Sequence, residues 1–117
     1  MKIAAPAPYD IVVRRGDTFR QRVTAKSGGV PVDITSYSFL GQIRSSADAS
    51  EVLASFSFEI VHAANGIFEM SIAADVTAEL PTESTRLGVY DVQWTTDAGD
   101  VRTIMRGVVY LESDVAR

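Results

Sequence analysis

The stretch LGVYDVQWTTDAGDVRTIMRGVVYLE, residues 87–112, decides the fold of this chain. Two apolar runs flank the turn sequence Asp-Ala-Gly-Asp. In the first run Tyr90, Val92 and Trp94 recur at every second position, which is the period of a β-strand with one buried face. The pattern therefore predicts a β-hairpin that places these three side chains in the core.

The second run of this hairpin alternates less regularly. Gly107 lies in its middle, and glycine inside a strand often marks an extra residue that shifts the phase of the alternation. We therefore expect a β-bulge at Gly107.

A second hairpin is predicted upstream. The run VLASFSFEIV (52–61) alternates as one strand, IFEMSIA (67–73) alternates as the next, and Asn65-Gly66 between them is a strong hairpin signal. The two strands should pair antiparallel. The side chains expected on their buried faces are Ala54, Phe56, Phe58, Ile60, Phe68, Met70 and Ile72.

The rest of the chain also reads as short strands. Runs 9–15, 19–26 and 37–46 alternate, and only 75–81 suggests a helix, with Asp75 as N-cap and Pro81 as its end. About seven strands and one short helix predict an all-β protein, an immunoglobulin-like antiparallel β-sandwich, with a barrel as the alternative. We expect one domain over 9–117, preceded by an extended arm over 1–8 that contains Pro6 and Pro8.

Tyr90 follows the predicted helix as the corner tyrosine of an immunoglobulin domain does. In that comparison Val92 takes the position of the conserved cysteine, and the Tyr90 hydroxyl should bond to the backbone of the preceding loop. We interpret Trp94 as a core residue. An exposed platform for a sugar, formed by Trp94, Tyr37 and Tyr110, is the alternative.

The composition argues against several kinds of function. The 117 residues carry a net charge of −4, contain no Cys and contain one His, which argues against nucleic acid as a partner and against a thiolate metal site. His62 and the carboxylates Asp97 and Asp100 fall in predicted turns, and no catalytic motif accompanies them. We expect a non-enzyme with no cofactor, no metal, no small-molecule substrate and no membrane segment.

Four arginines, Arg14, Arg15, Arg20 and Arg22, lie close together in the sequence. They form either a solvated strand face beside carboxylates or a docking patch for an acidic neighbour. The triplet Arg15-Gly16-Asp17 is interpreted as the turn between the first two strands. Leu40, Leu53 and Val61 fall on otherwise polar faces and are further candidate contacts.

Six blocks of the sequence together resemble small β-sandwich proteins of tailed bacteriophages. They are RRGDTF (14–19), GVPVDITSYSFLGQIR (29–44), VLASFSFEI (52–60), GIFEMSIAADVTAELP (66–81), GVYDVQW (88–94) and GDVRTIMRGVVYLESDVAR (99–117). The plan is similar to the immunoglobulin-like N-terminal domain of the phage baseplate upper protein. In those proteins further segments follow, so a domain that stands alone is expected at another position in the particle.

The resemblance implies a structural protein of the virion, made in the host cytoplasm. Its place would be the tail, the baseplate or the head-tail region, and its partners would be other virion proteins or copies of itself. A capsid decoration protein and a carbohydrate- or surface-binding module are the alternatives. The sheet edges and the arm, with Pro6 and Pro8, are the expected contacts.

Overall fold

Two β-sheets enclose the core of this protein. The computed structural model describes residues 2–3, 7–81 and 85–112. The strands are β1 (Lys2–Ile3), β2 (Ala7–Pro8), β3 (Ile11–Arg14), β4 (Phe19–Ser27), β5 (Val30–Pro31), β6 (Ser38–Arg44), β7 (Ala54–Ser55), β8 (Ser57–His62), β9 (Ile67–Ile72), β10 (Arg86–Thr95) and β11 (Val101–Glu112). A 3₁₀ turn at Ala63–Asn65 and the helix α1 at Ala74–Thr77 complete the elements. The all-β prediction is confirmed.

The strand order is that of an immunoglobulin-type sandwich. The first sheet has the order β1-β4-β9-β8, with β5 beside β4, and the second has the order β2-β11-β10-β6-β7, with β3 also on β11. The antiparallel strands β4, β9 and β8 correspond to strands B, E and D, and β6, β10 and β11 to C, F and G. The N-terminal strands β1, β2 and β3 differ, because they pair parallel with β4 and β11.

The core joins the inner faces of both sheets. Phe68 and Met70 of the first sheet and Val92 of the second have no exposed surface. The half-buried Phe39 packs against Phe68 with ring centroids 4.5 Å apart. The predicted alternation is confirmed in β9 and, from Gly88 onward, in β10, where every second residue faces the core.

The predicted strand 52–61 is two strands. β7 pairs with β6 in the second sheet, whereas β8 pairs with β9 in the first. The chain crosses between the sheets at Phe56, whose amide donates to the Gly41 carbonyl at 2.9 Å. The inward alternation continues through this crossing because both sheets face the same core. One long strand and two successive strands therefore produce the same sequence pattern.

The helix begins differently from the prediction. Ala73 is the N-cap of α1 and provides no side-chain bond, while Asp75 lies within the first turn. The buried Thr77 holds this segment: its hydroxyl lies 2.8 Å from the Asp17 carbonyl and accepts from the Gly16 amide at 3.0 Å. The helix is therefore fixed by a tertiary contact to the β3–β4 turn.

The expected bulge at Gly107 is wrong. The register of β10 and β11 shifts between Val92 and Gln93, which pair with Met105 and Thr103. Ile104 is thus the extra residue, and Ile104 and Met105 are buried in succession. Gly107 pairs regularly with Tyr90 and is needed for a different reason, described below.

Candidate assembly surfaces

The second sheet has an outer face that is partly covered by apolar side chains. The term outer face is used below for the outward-pointing residues of β3, β6, β10 and β11. Eight large apolar residues are exposed among those that the structure describes, and four of them lie on this face. These four are Val12, Leu40, Val101 and Tyr110. Val12 and Tyr110 are register partners and so lie side by side.

The centre of the outer face is charged. Asp91 of β10 lies opposite Arg106 of β11 and Gln42 of β6, and both Asp91 and Arg106 are exposed. Neither charged side chain has an ion-pair partner among the residues that the structure describes. Half-buried Val89 and Val108 form the next row. An open cavity of about 640 Å³ lies over the centre of the outer face and is lined in part by these residues.

Sequence patterns gave no direct signal for Asp91 and Arg106 as contact residues. The available signal was their position in the alternation of buried and exposed residues along each strand. Asp91 alternates with the buried Tyr90 and Val92, so it must point outward. That Arg106 lies opposite it depends on the bulge at Ile104, which sets the register of the hairpin.

The N-terminal segment is held against the second sheet at Tyr9 and Asp10. The Tyr9 amide donates to the Arg106 carbonyl at 2.8 Å, and the Val108 amide donates to Asp10 Oδ1 at 2.8 Å. The Tyr90 hydroxyl donates to the Tyr9 carbonyl. The corner-tyrosine prediction therefore has the wrong acceptor: the bond goes to the N-terminal segment, 81 residues away, and not to the preceding loop.

Gly107 permits this close approach. A Cβ at Gly107 would lie 2.2 Å from the Tyr9 carbonyl oxygen and 3.0 Å from Asp10 Oδ1. The absence of a side chain thus lets the segment pass directly over β11. Burial raises the pKa of the Tyr90 phenol, and the nearby Tyr9 and Asp10 raise it further. The hydroxyl therefore stays protonated and remains a donor.

The predicted arm lies along the chain's own sheets wherever it is described. Lys2 and Ile3 pair with β4, whereas Ala7 and the exposed Pro8 pair with β11. Pro6 lies outside the described residues. The described parts of the arm thus lie beside β4 in the first sheet and beside β11 in the second.

The four arginines do not form one patch, because β3 and β4 belong to different sheets. Arg20 and Arg22 point outward from the first sheet and lie 3.9 and 3.7 Å from the Glu69 carboxylate. Arg14 lies on the outer face opposite Glu112. Arg15 begins the turn before β4, where its Nε lies 3.5 Å from the Leu80 carbonyl.

The aromatic residues proposed as a sugar platform are separated by burial. Trp94 is only 7% exposed. Tyr37 packs against it edge-on with ring centroids 5.1 Å apart, and Phe39 does so at 6.3 Å. Tyr110 is exposed on the outer face and belongs to a different part of the molecule. Trp94 is therefore a core residue.

The polar residues considered for chemistry lie apart from one another. His62 is exposed at the end of β8, and Asp97 and Asp100 are exposed in the turn between β10 and β11. Within residues 2–3, 7–81 and 85–112, no three His, Cys, Asp or Glu side chains are grouped so as to hold a metal ion. Over the same residues, no helix has the length and apolar character to cross a bilayer.

Strand β8 forms a margin of the first sheet. Among the described strands its one neighbour in the sheet is β9. Val61 is 39% exposed there, and Glu59 also points outward. Leu53, the third expected contact beside Leu40 and Val61, is half-buried and packs against the core. An open strand margin of this kind is able to accept a further strand.

No protein-family model matches this chain, and no curated protein matches it.

Proposed function

We propose that this chain is a non-enzymatic structural protein of a tailed-bacteriophage particle, which acts by packing against neighbouring proteins in a symmetric assembly. The observation that carries the proposal is the outer face, where four exposed apolar side chains share one sheet surface with the charged residues Asp91 and Arg106. Exposed apolar side chains that cluster on one face mark candidate sites of protein interaction. The resemblance to phage β-sandwich proteins supplies the biological setting.

The mechanism is binding through several surfaces of one domain. The outer face offers side-chain contacts, and the margin at β8 offers backbone hydrogen bonds to an added strand. Each contact alone is modest. In a ring, tube or shell every subunit makes several such contacts at once, and their combination stabilises the assembly.

The proposed location is the tail, the baseplate or the head-tail region of a virion, after synthesis in the host cytoplasm. A capsid decoration protein is the same kind of molecule at another position, and it would use the same surfaces. The carbohydrate-binding alternative loses its main residue, since Trp94 is buried. Tyr37 meets Trp94 edge-on at an interplanar angle of 75°, so these two rings do not form one flat surface for a sugar.

The test is the content of purified particles. Particles are prepared from the lysate of a host that carries this gene, separated by density gradient, and analysed by quantitative mass spectrometry and immunogold labelling. We expect this chain at a fixed copy number, with gold particles at one location on the virion. Intact particles that contain all their major proteins and none of this chain would contradict the proposal.

A further inference from the structure

The outer face carries chemically matched side chains on its two central strands. In three successive rows of the outer face, the register of β10 and β11 places residues of like or complementary chemistry directly opposite each other. These pairs are Val89 with Val108, Asp91 with Arg106, and Gln93 with Thr103. Each pair joins two apolar groups, two opposite charges, or an amide and a hydroxyl.

We infer that a second copy of this chain docks on the outer face through a twofold axis. The axis lies in the interface, parallel to the strands and midway between β10 and β11. Such an axis places each β10 side chain over the β11 side chain of the other copy. Asp91 then faces the partner's Arg106, and the same contact occurs twice because the interface is symmetric.

The register favours this axis over the neighbouring one. An axis between β10 and β6 would place Val89 over Arg44 and Gln93 over Leu40, since these are the register partners on that side. Both contacts would bury an apolar side chain against a polar or charged group. Of the two axes that flank β10, the one between β10 and β11 matches charge with charge and apolar with apolar in these three rows.

The cavity over the face is lined by Asp91, Arg106, Val89 and Val108, among others. The long, exposed side chain of Arg106 from the second copy reaches into this space and meets Asp91. Val12 and Tyr110 lie beyond the charged row and are covered as the two faces approach.

The dimer should be weak when isolated. Four strands spaced about 4.8 Å apart and about seven residues long at roughly 3.3 Å each give a flat face of about 440 Å². A stable interface covers about 800 Å² of accessible surface on each partner, so this face is about half that size and falls in the class of weak, transient contacts. We expect a dissociation constant on the order of micromolar. The inference rests on the proposed function for its role, since a weak dimer becomes useful when many copies assemble.

The experiment uses two charge reversals. Asp91→Arg places two cations in each central contact of the dimer, and Arg106→Asp places two anions there. Sedimentation equilibrium and light scattering are measured for the full chain from low micromolar to millimolar concentration. We expect each single variant to dimerise at least tenfold more weakly than the original protein, because the repulsion occurs twice.

Mixing the two single variants gives the decisive result. Combined in equal amounts, Asp91→Arg and Arg106→Asp proteins face each other with opposite charges at both contacts. We expect heterodimers to form with an affinity near that of the original dimer. Misfolding of either variant could not produce restored dimerisation. Circular dichroism of each variant is measured to check that it is folded.

Matched controls reverse charges on the opposite sheet. Glu59→Arg and Arg20→Asp change the same charges on exposed strand positions of the first sheet, and they should leave dimerisation unchanged. The inference is overturned if the original protein stays monomeric to millimolar concentration, if neither reversal weakens the dimer, or if the mixture does not recover it. These results are obtained without particles, so a solution dimer with no virion incorporation would contradict only the proposed function.

Discussion

Replacing Tyr90 with Phe should lower the free energy of unfolding by about 1–2 kcal/mol, because the change removes one donor and keeps the ring. The Tyr90 hydroxyl donates to the Tyr9 carbonyl. The ring itself remains packed edge-on against Phe56, with centroids 5.8 Å apart. The Val108 amide, the neighbouring backbone donor, is already taken by the Asp10 carboxylate. The lost bond therefore leaves the Tyr9 carbonyl without this donor.

The assay is thermal and urea unfolding followed by circular dichroism. For a domain of 117 residues, about 1 kcal/mol corresponds to a change in Tm of roughly 4 °C, so the expected drop is about 4–8 °C. Tyr110→Phe is the matched control, since that ring is 41% exposed. It should change Tm by less than about 2 °C. A Tyr90→Phe protein as stable as this control would refute the role assigned to the hydroxyl.

The pH dependence tests the same contact. The pKa of Tyr90 is raised in the folded protein, mainly by burial. An unfolded tyrosine ionises near pH 10, so above that pH the unfolded state binds fewer protons than the folded state and stability falls. The stabilisation is complete below about pH 10 and is lost as the pH rises further. The stability gap between the original protein and Tyr90→Phe should therefore narrow above pH 10, whereas a constant gap would contradict a protonated, buried phenol.

Three further substitutions test separate contacts. Thr77→Val should cost about 2 kcal/mol in urea unfolding, because its fully buried hydroxyl bonds the turn before β4; an unchanged midpoint would contradict this. Glu69→Gln should cost less than about 1 kcal/mol, and the loss should vanish at high salt, because both arginine partners are exposed; a larger, salt-independent loss would argue against a surface contact. Gly107→Ala should speed hydrogen exchange of the N-terminal segment, since the new Cβ would overlap its backbone; unchanged exchange there, in a folded protein, would contradict the close approach.

The sequence by itself determined the class of fold and most of the core. Period-2 alternation is a local property, so it identifies a strand and its buried face without any knowledge of its neighbours. Phe68, Met70, Val92 and Trp94 were assigned to the core in this way and are buried. The hairpins at residues 57–72 and 86–112 were also predicted, because their turn sequences lie between the strands that pair.

Tertiary structure alone decided the features that depend on distant parts of the chain. The crossing at Phe56 is invisible in the alternation, because both sheets share one core. The acceptor of the Tyr90 hydroxyl lies at the other end of the chain, and the need for Gly107 arises from that same passing segment. Likewise, the pairing of Asp91 with Arg106 follows from the bulge at residue 104, and a one-residue shift there would turn the arginine to the other face.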